Sequence, residues 1–195
     1  ASIIAIILLP APSVDCIPYI IASALIHQGY NWYLLSSYKI GDFTKVYPIA
    51  RGFGPLVASI ISILILGLVL DNLIILSICL ICLGIMILGF FDQLSKKNSK
   101  IIEYSLFTGF FIGLYTLVDG YGARVSLSAI TYMSWSFILI AIFFPIVLKI
   151  KKQENIFTNV MVRANQIFWV GGTLSFIVYM IVVWGFTKAP IPMVG

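Results

Sequence analysis

Long apolar runs separated by short polar breaks follow one another along the whole chain. The breaks read PAPSVD, GDFTK, LDN, DQLSKKNSK, DGYGAR and KKQEN, with the Pro, Gly, Asn, Asp and Lys of turns and water-facing loops. Between them the pattern predicts six complete spans, at about residues 17–38, 46–70, 73–91, 101–118, 127–150 and 167–186. A helix of roughly 20 apolar residues covers the ~30 Å hydrocarbon core of a bilayer. Alternation with period two is absent, and backbone facing lipid must close its own hydrogen bonds, so helices are the economical reading. The expected fold is an all-α membrane protein, a multi-span bundle of six full transmembrane helices and one partial one.

The partial span is ASIIAIILLPAP, which offers about nine apolar residues before Pro10 and has no basic region of the kind that opens a signal peptide. It reads as half a helix. At the other end WGFTKAPIPMVG stops where another apolar stretch begins, so the chain reads as a fragment of a longer one.

Composition agrees: 61% of the 195 residues are hydrophobic and 10% are charged, which no ordinary soluble domain shows. The net charge of +5 reports topology. Lys39 and Lys45, then Lys96, Lys97 and Lys100, then Lys149, Lys151, Lys152 and Arg163 follow the first, third and fifth complete spans, while the other connections hold Arg124 and Lys188. Short loops rich in Lys and Arg stay in the cytoplasm, which puts residues 39–45, 92–100 and 149–165 there and the LDN and DGYGAR turns outside a plasma membrane. No nucleic-acid footprint is visible in these charges.

Chemistry-bearing motifs are few. The chain has no GxxxxGK[ST] loop for a nucleotide, no HExxH and no GxSxG. Its seven acids fall mostly at span ends, and Cys79 and Cys82, one turn apart, have no ligand partners in a chain with a single His, so they read as packing residues. No catalytic residue, metal or cofactor is expected.

Polar groups at membrane depth carry more information, because placing them there costs a few kcal/mol. His27, Tyr30 and Asn31 share one face of the first span, Pro48, Arg51 and Pro55 one face of the second, and Tyr115 and Asp119 lie one turn apart on the fourth. Each has a plain alternative. His27 suits a packing role as well as a proton carrier. Arg51, about 8 Å into its helix, could extend to the headgroups, and Asp119 could cap or pair with Arg124 within a turn. Gly109 and Gly113 form a small-xxx-small pair suited to a close helix contact, while Trp32 and Trp184 suit the interfacial belts.

Two stretches point further. YKIGDFTKVYPIARGFGP, residues 38–55, resembles the signature of the EamA-type branch of the drug/metabolite transporter superfamily: a helix end, the Gly41-Asp42 turn, then a Tyr-Pro-(x)2-Arg-Gly-(x)2-Pro opening matched by Tyr47, Pro48, Arg51, Gly52 and Pro55. YTLVDGYGAR, residues 115–124, is similar to the Tyr-Thr-x-x-Asp-Gly turn that closes the sixth helix of that family, with Asp119 and Gly120 at its end. The resemblance covers essentially the whole chain. It implies ten helices in two inverted five-helix halves, with residues 1–92 the remainder of the first repeat, from the end of helix two to helix five, and 101–195 the start of the second, helices six to eight. YNWYLLSSYK from Tyr30 and YMIVVWGFTK from Tyr179 align at one offset as a trace of that repeat. One departure stands out: the acid the family commonly carries after the Gly closing helix four is absent, since Leu68 follows Gly67.

The resemblance implies a secondary transporter of a small metabolite or drug-like solute, working by alternating access, with a substrate and the lipid bilayer as partners, a homodimer as an admissible assembly, and no nucleic acid. His27, Tyr30, Tyr47, Arg51, Tyr115 and Asp119 are the expected cavity residues, with Arg51 orienting an anion or dipole and His27 the natural carrier of any coupled proton. A structural membrane subunit and a lipid-modifying enzyme are the rival readings.

Overall fold

Helices carry the described chain, and no strand occurs among the described residues. The computed structural model describes residues 2–90, 99–126, 128–150, 160, 162 and 164–194. Lys96, Lys97, Lys151, Lys152 and Arg163, on which much of the expected orientation rests, lie outside them, as does the expected domain boundary at residue 92. In chain order the elements are α1 (Ser2–Leu8), a 3-10 turn (Val14–Cys16), α2 (Ile17–Ile40), α3 (Phe43–Leu64), α4 (Asn72–Phe90), α5 (Ser99–Val125), α6 (Ala129–Ile150), α7 (Asn165–Phe186) and the single turn α8 (Ile191–Val194).

Four of these, α3, α5, α6 and α7, are long and apolar enough to cross a membrane. At 22 residues a helix rises about 33 Å, and α5 has 27. The 24 residues of α2 give it the length, but His27, Gln28, Tyr30 and Asn31 at its centre dilute its apolar character. α4 has 19 residues, almost all apolar. The chain is a helical, multi-pass membrane protein.

Its surface supports this directly. Leu73, Leu76, Leu80, Ile81, Leu83 and Ile87 on α4, and Ile167, Trp169, Val170, Leu174, Val178 and Ile181 on α7, are all exposed. Ser37, Ser59, Ser105, Thr108, Ser134 and Ser136 are buried. Each of these hydroxyls donates to the carbonyl four residues earlier, at 2.7 to 3.0 Å, which satisfies a polar group without leaving its own helix. Apolar outside and small polar groups inside is the distribution a bilayer selects, because lipid rewards no burial of Leu or Ile.

Two expected boundaries move. The second span was expected to reach residue 70, but α3 ends at Leu64. Gly67 takes a left-handed conformation, φ +64°, and the Leu68 N–H donates to the Ser62 carbonyl at 2.9 Å, so the chain leaves the helix there. The fourth span was expected to close at Val118 in a DGYGAR turn, yet α5 continues to Val125, which places Asp119, Gly120 and Arg124 inside a helix. Glycine there does not break the ladder, because in an apolar surrounding the backbone has no better partner than its own next turn.

Two compact units divide the chain: Ala1–Gln28 with Asp119–Lys188, and Gly29–Val118 with Ala189–Gly195. In the first, α6 packs on α1 and on α7. In the second, α3 packs on α4 and on the turn α8. Glycines let the second unit close tightly. A Cβ on Gly109 would lie 2.7 Å from the Ala50 carbonyl oxygen and 2.8 Å from Phe53 Cβ, and one on Gly113 would lie 2.7 Å from Val57 Cβ and 2.9 Å from the Gly54 carbonyl oxygen. On another side of α3, a Cβ on Gly52 would meet Met86 Cγ at 2.8 Å and the Cys82 carbonyl oxygen at 3.0 Å. The expected small-residue contact is therefore the seam between α3 and α5, and Gly52 serves the same purpose toward α4.

Candidate functional site

The six expected cavity residues fall into two groups, one in each unit. In the first unit Asp119 is 1% exposed, and its carboxylate accepts the hydroxyl protons of Tyr132, at 2.9 Å, and Tyr179. Tyr132 is wholly buried; it reaches Asp119 because its ring lies where a side chain on Gly122 would be. Phe137 fixes the other phenol, packing on the Tyr179 ring with centroids 5.6 Å apart.

His27, 8% exposed, meets the Tyr179 ring edge-on with centroids 6.4 Å apart and lies within reach of the Asp119 charge. Its Nδ1 is 2.9 Å from the Ser23 carbonyl oxygen. The same nitrogen lies 3.3 Å from Ser23 Oγ, so Ser23 holds the imidazole by both its carbonyl and its hydroxyl. A carboxylate held by two phenols beside an imidazole can store a proton or neutralise a small cation. Arg124 Nε donates to the Phe186 carbonyl at 2.8 Å.

Tyr132 was not singled out in the sequence, and Tyr179 drew notice there only for the repeat. The available signal was Tyr132 with Ser134 and Ser136 in an otherwise oily helix; nothing in the sequence pairs them with a residue thirteen or sixty positions away.

The second group lies in the other unit. Arg51 Nε donates to the Tyr47 hydroxyl at 3.1 Å, with the guanidinium carbon 5.6 Å from that ring's centroid. Tyr47 stacks on Phe43 at 4.9 Å, which steadies it. Tyr30 and Tyr115 meet edge to face at 5.4 Å, and both lie within electrostatic range of Arg51. Pro55 lacks the N–H that would bond the Arg51 carbonyl, and Pro48 lacks the one for Thr44. Arg51 thus sits in a helix segment that lacks two of its regular backbone bonds, an exposed cation among phenols. Gly41 and Asp42 form the turn between α2 and α3 as the sequence pattern anticipates, with Asp42 at the N-cap of α3 and no side-chain capping bond.

Among the described residues no group of three or more His, Cys, Asp and Glu is gathered as a metal would need. Cys16 and Cys82 are buried and Cys79 half-buried, all as free thiols.

Gly122→Ala tests the first group, since its methyl would land on the Tyr132 ring. It is expected to lower stability by about 1–3 kcal/mol, read by thermal unfolding in detergent; an unchanged midpoint would contradict the packing described.

Searched against protein-family models, curated proteins and solved structures, the chain matches none of them.

Proposed function

We propose that the chain is part of a proton-linked secondary transporter of a small metabolite or drug-like solute, of the EamA type in the drug/metabolite transporter superfamily. The observation that carries this reading is the buried Asp119 between Tyr132 and Tyr179 with His27 alongside, in a chain whose other acids lie mostly at span ends. A buried carboxylate in a membrane bundle is costly and serves a pathway more often than packing. Protonation of Asp119 removes its charge and lets it donate as well as accept, so a proton can alter how the two phenols are held. Arg51, with Tyr30, Tyr47 and Tyr115, supplies a fixed cation and aromatic faces for orienting a solute that carries a carboxylate or a phosphate. Under this reading α2 and α4 complete six spans, the two repeats meet between residues 92 and 101, and the 39–45, 92–100 and 149–165 loops face the cytoplasm of a plasma-membrane protein.

The test uses the complete natural chain in vesicles, offered labelled amino acids, sugars, organic acids and organic cations with and without an inward proton gradient. One class is expected to accumulate. Asp119→Asn keeps an acceptor for the phenols but removes the titrating group, so it should abolish gradient-driven accumulation while leaving equilibrium exchange in place. His27→Gln should flatten the rate between pH 5.5 and 8. Uptake of no class would sink the transporter reading in favour of a structural subunit, and accumulation unaffected by Asp119→Asn would sink the proton linkage.

A further inference from the structure

Arg124 and Lys188 are the two cations in the connections that the charge count assigns to the outer side, and they are 64 positions apart in sequence. The fold brings them to one cavity of about 340 Å³ in the first unit, which Ser126, Ala129, Trp184 and Thr187 also line. No lining residue is acidic. Three independent features give this cavity a positive interior. The Arg124 guanidinium is braced at its wall by the bond from Nε to the Phe186 carbonyl. The Lys188 ammonium lies 6.0 Å from the centre of the Trp184 ring. Ala129 is the first residue of α6, whose N-terminal N–H groups have no partner within the helix and carry the positive end of its dipole. Ser128 caps only the Thr131 N–H, at 3.4 Å.

We propose that this cavity binds a phosphate group, presented by the headgroup of an anionic phospholipid. A guanidinium forks onto phosphate oxygens, an ammonium adds a point charge, and a volume of this size admits a glycerophosphate moiety. Trp184, exposed at the end of α7, places an indole where an acyl chain meets its headgroup. Basic pockets between membrane helices bind anionic lipid headgroups by this chemistry.

The experiment delipidates the full-length protein in detergent, adds phosphatidylglycerol or phosphatidylcholine, and counts retained lipids by native mass spectrometry. The wild type is expected to hold one phosphatidylglycerol and no comparable phosphatidylcholine. Lys188→Gln, which leaves the Arg124 bond to Phe186 intact, should weaken retention ~10-fold, and Arg124→Gln with Lys188→Gln should abolish it. Lys188→Arg should restore it. Displacement of the lipid by millimolar inorganic phosphate would keep the phosphate site and make a soluble phosphate its ligand. Equal retention of the two lipids, or retention unchanged in Lys188→Gln, overturns the proposal without reference to transport.

Discussion

Asp119→Ala lowers the unfolding free energy by about 2–5 kcal/mol, because it removes the acceptor of the half-buried Tyr179 hydroxyl and leaves the buried Tyr132 hydroxyl only the longer 3.4 Å contact to the Tyr19 carbonyl. Each weakened donor costs up to about 1–3 kcal/mol where no water replaces the lost acceptor. The loss is specific to the network and can be separated from the loss of a side chain. In a background carrying Tyr132→Phe and Tyr179→Phe the donors are already gone, so Asp119→Ala should cost much less there, and the difference measures the coupling. Asp119→Asn retains an acceptor oxygen and should fall well short of the alanine loss. Denaturant titration in micelles, followed by circular dichroism, gives all the values. Equal cost of Asp119→Ala in both backgrounds would show that the phenols do not depend on the carboxylate.

Gly109→Ala and Gly113→Ala are each expected to destabilise by about 1–3 kcal/mol, more than a single methyl would cost at a loose site. The obstacle at both positions includes a backbone carbonyl, of Ala50 and of Gly54, which cannot rotate aside as a side chain can. The two helices must part, and every contact along the seam weakens with them. Gly84→Ala and Gly172→Ala provide the contrast. No atom lies within 4 Å of a Cβ built at either, so these should be neutral or slightly stabilising, since alanine is the better helix former by about 1 kcal/mol. Equal behaviour of the two pairs would mean that α3 and α5 do not approach as closely as described.

Much of the architecture was legible from residue order. Runs of about twenty apolar residues can only be helices in lipid, and α2, α4, α6 and α7 begin and end within a few positions of the expected limits. The close helix contact was readable from Gly109 and Gly113, because only a residue without a side chain lets backbones meet at that distance. The ends of α3 and α5 were misjudged in opposite ways: Gly67 was read through as part of an apolar span, and the Asp and Gly of DGYGAR were read as a turn. The left-handed Gly67 follows the end of α3 several residues before the loss of apolarity, while Gly120 and Gly122 stay helical, with Tyr132 packed against Gly122.

Of the candidate site, sequence spacing determined what shares a face of one helix: His27 with Tyr30, Pro48 with Arg51, Tyr115 with Asp119. The spacing of Tyr47 and Arg51 permits the bond that the structure shows between them, since residues four apart on a helix are neighbours. Only the tertiary structure decided which of these act together. It separates Tyr115, grouped with Tyr30 and Arg51, from Asp119, grouped with His27, Tyr132 and Tyr179. It also brings Arg124 to the Phe186 carbonyl at the end of α7. The physical reason is that helical periodicity fixes neighbours within one helix, whereas a hydrogen bond across helices depends on how those helices are rotated against each other, and that is set by the packing of many side chains at once.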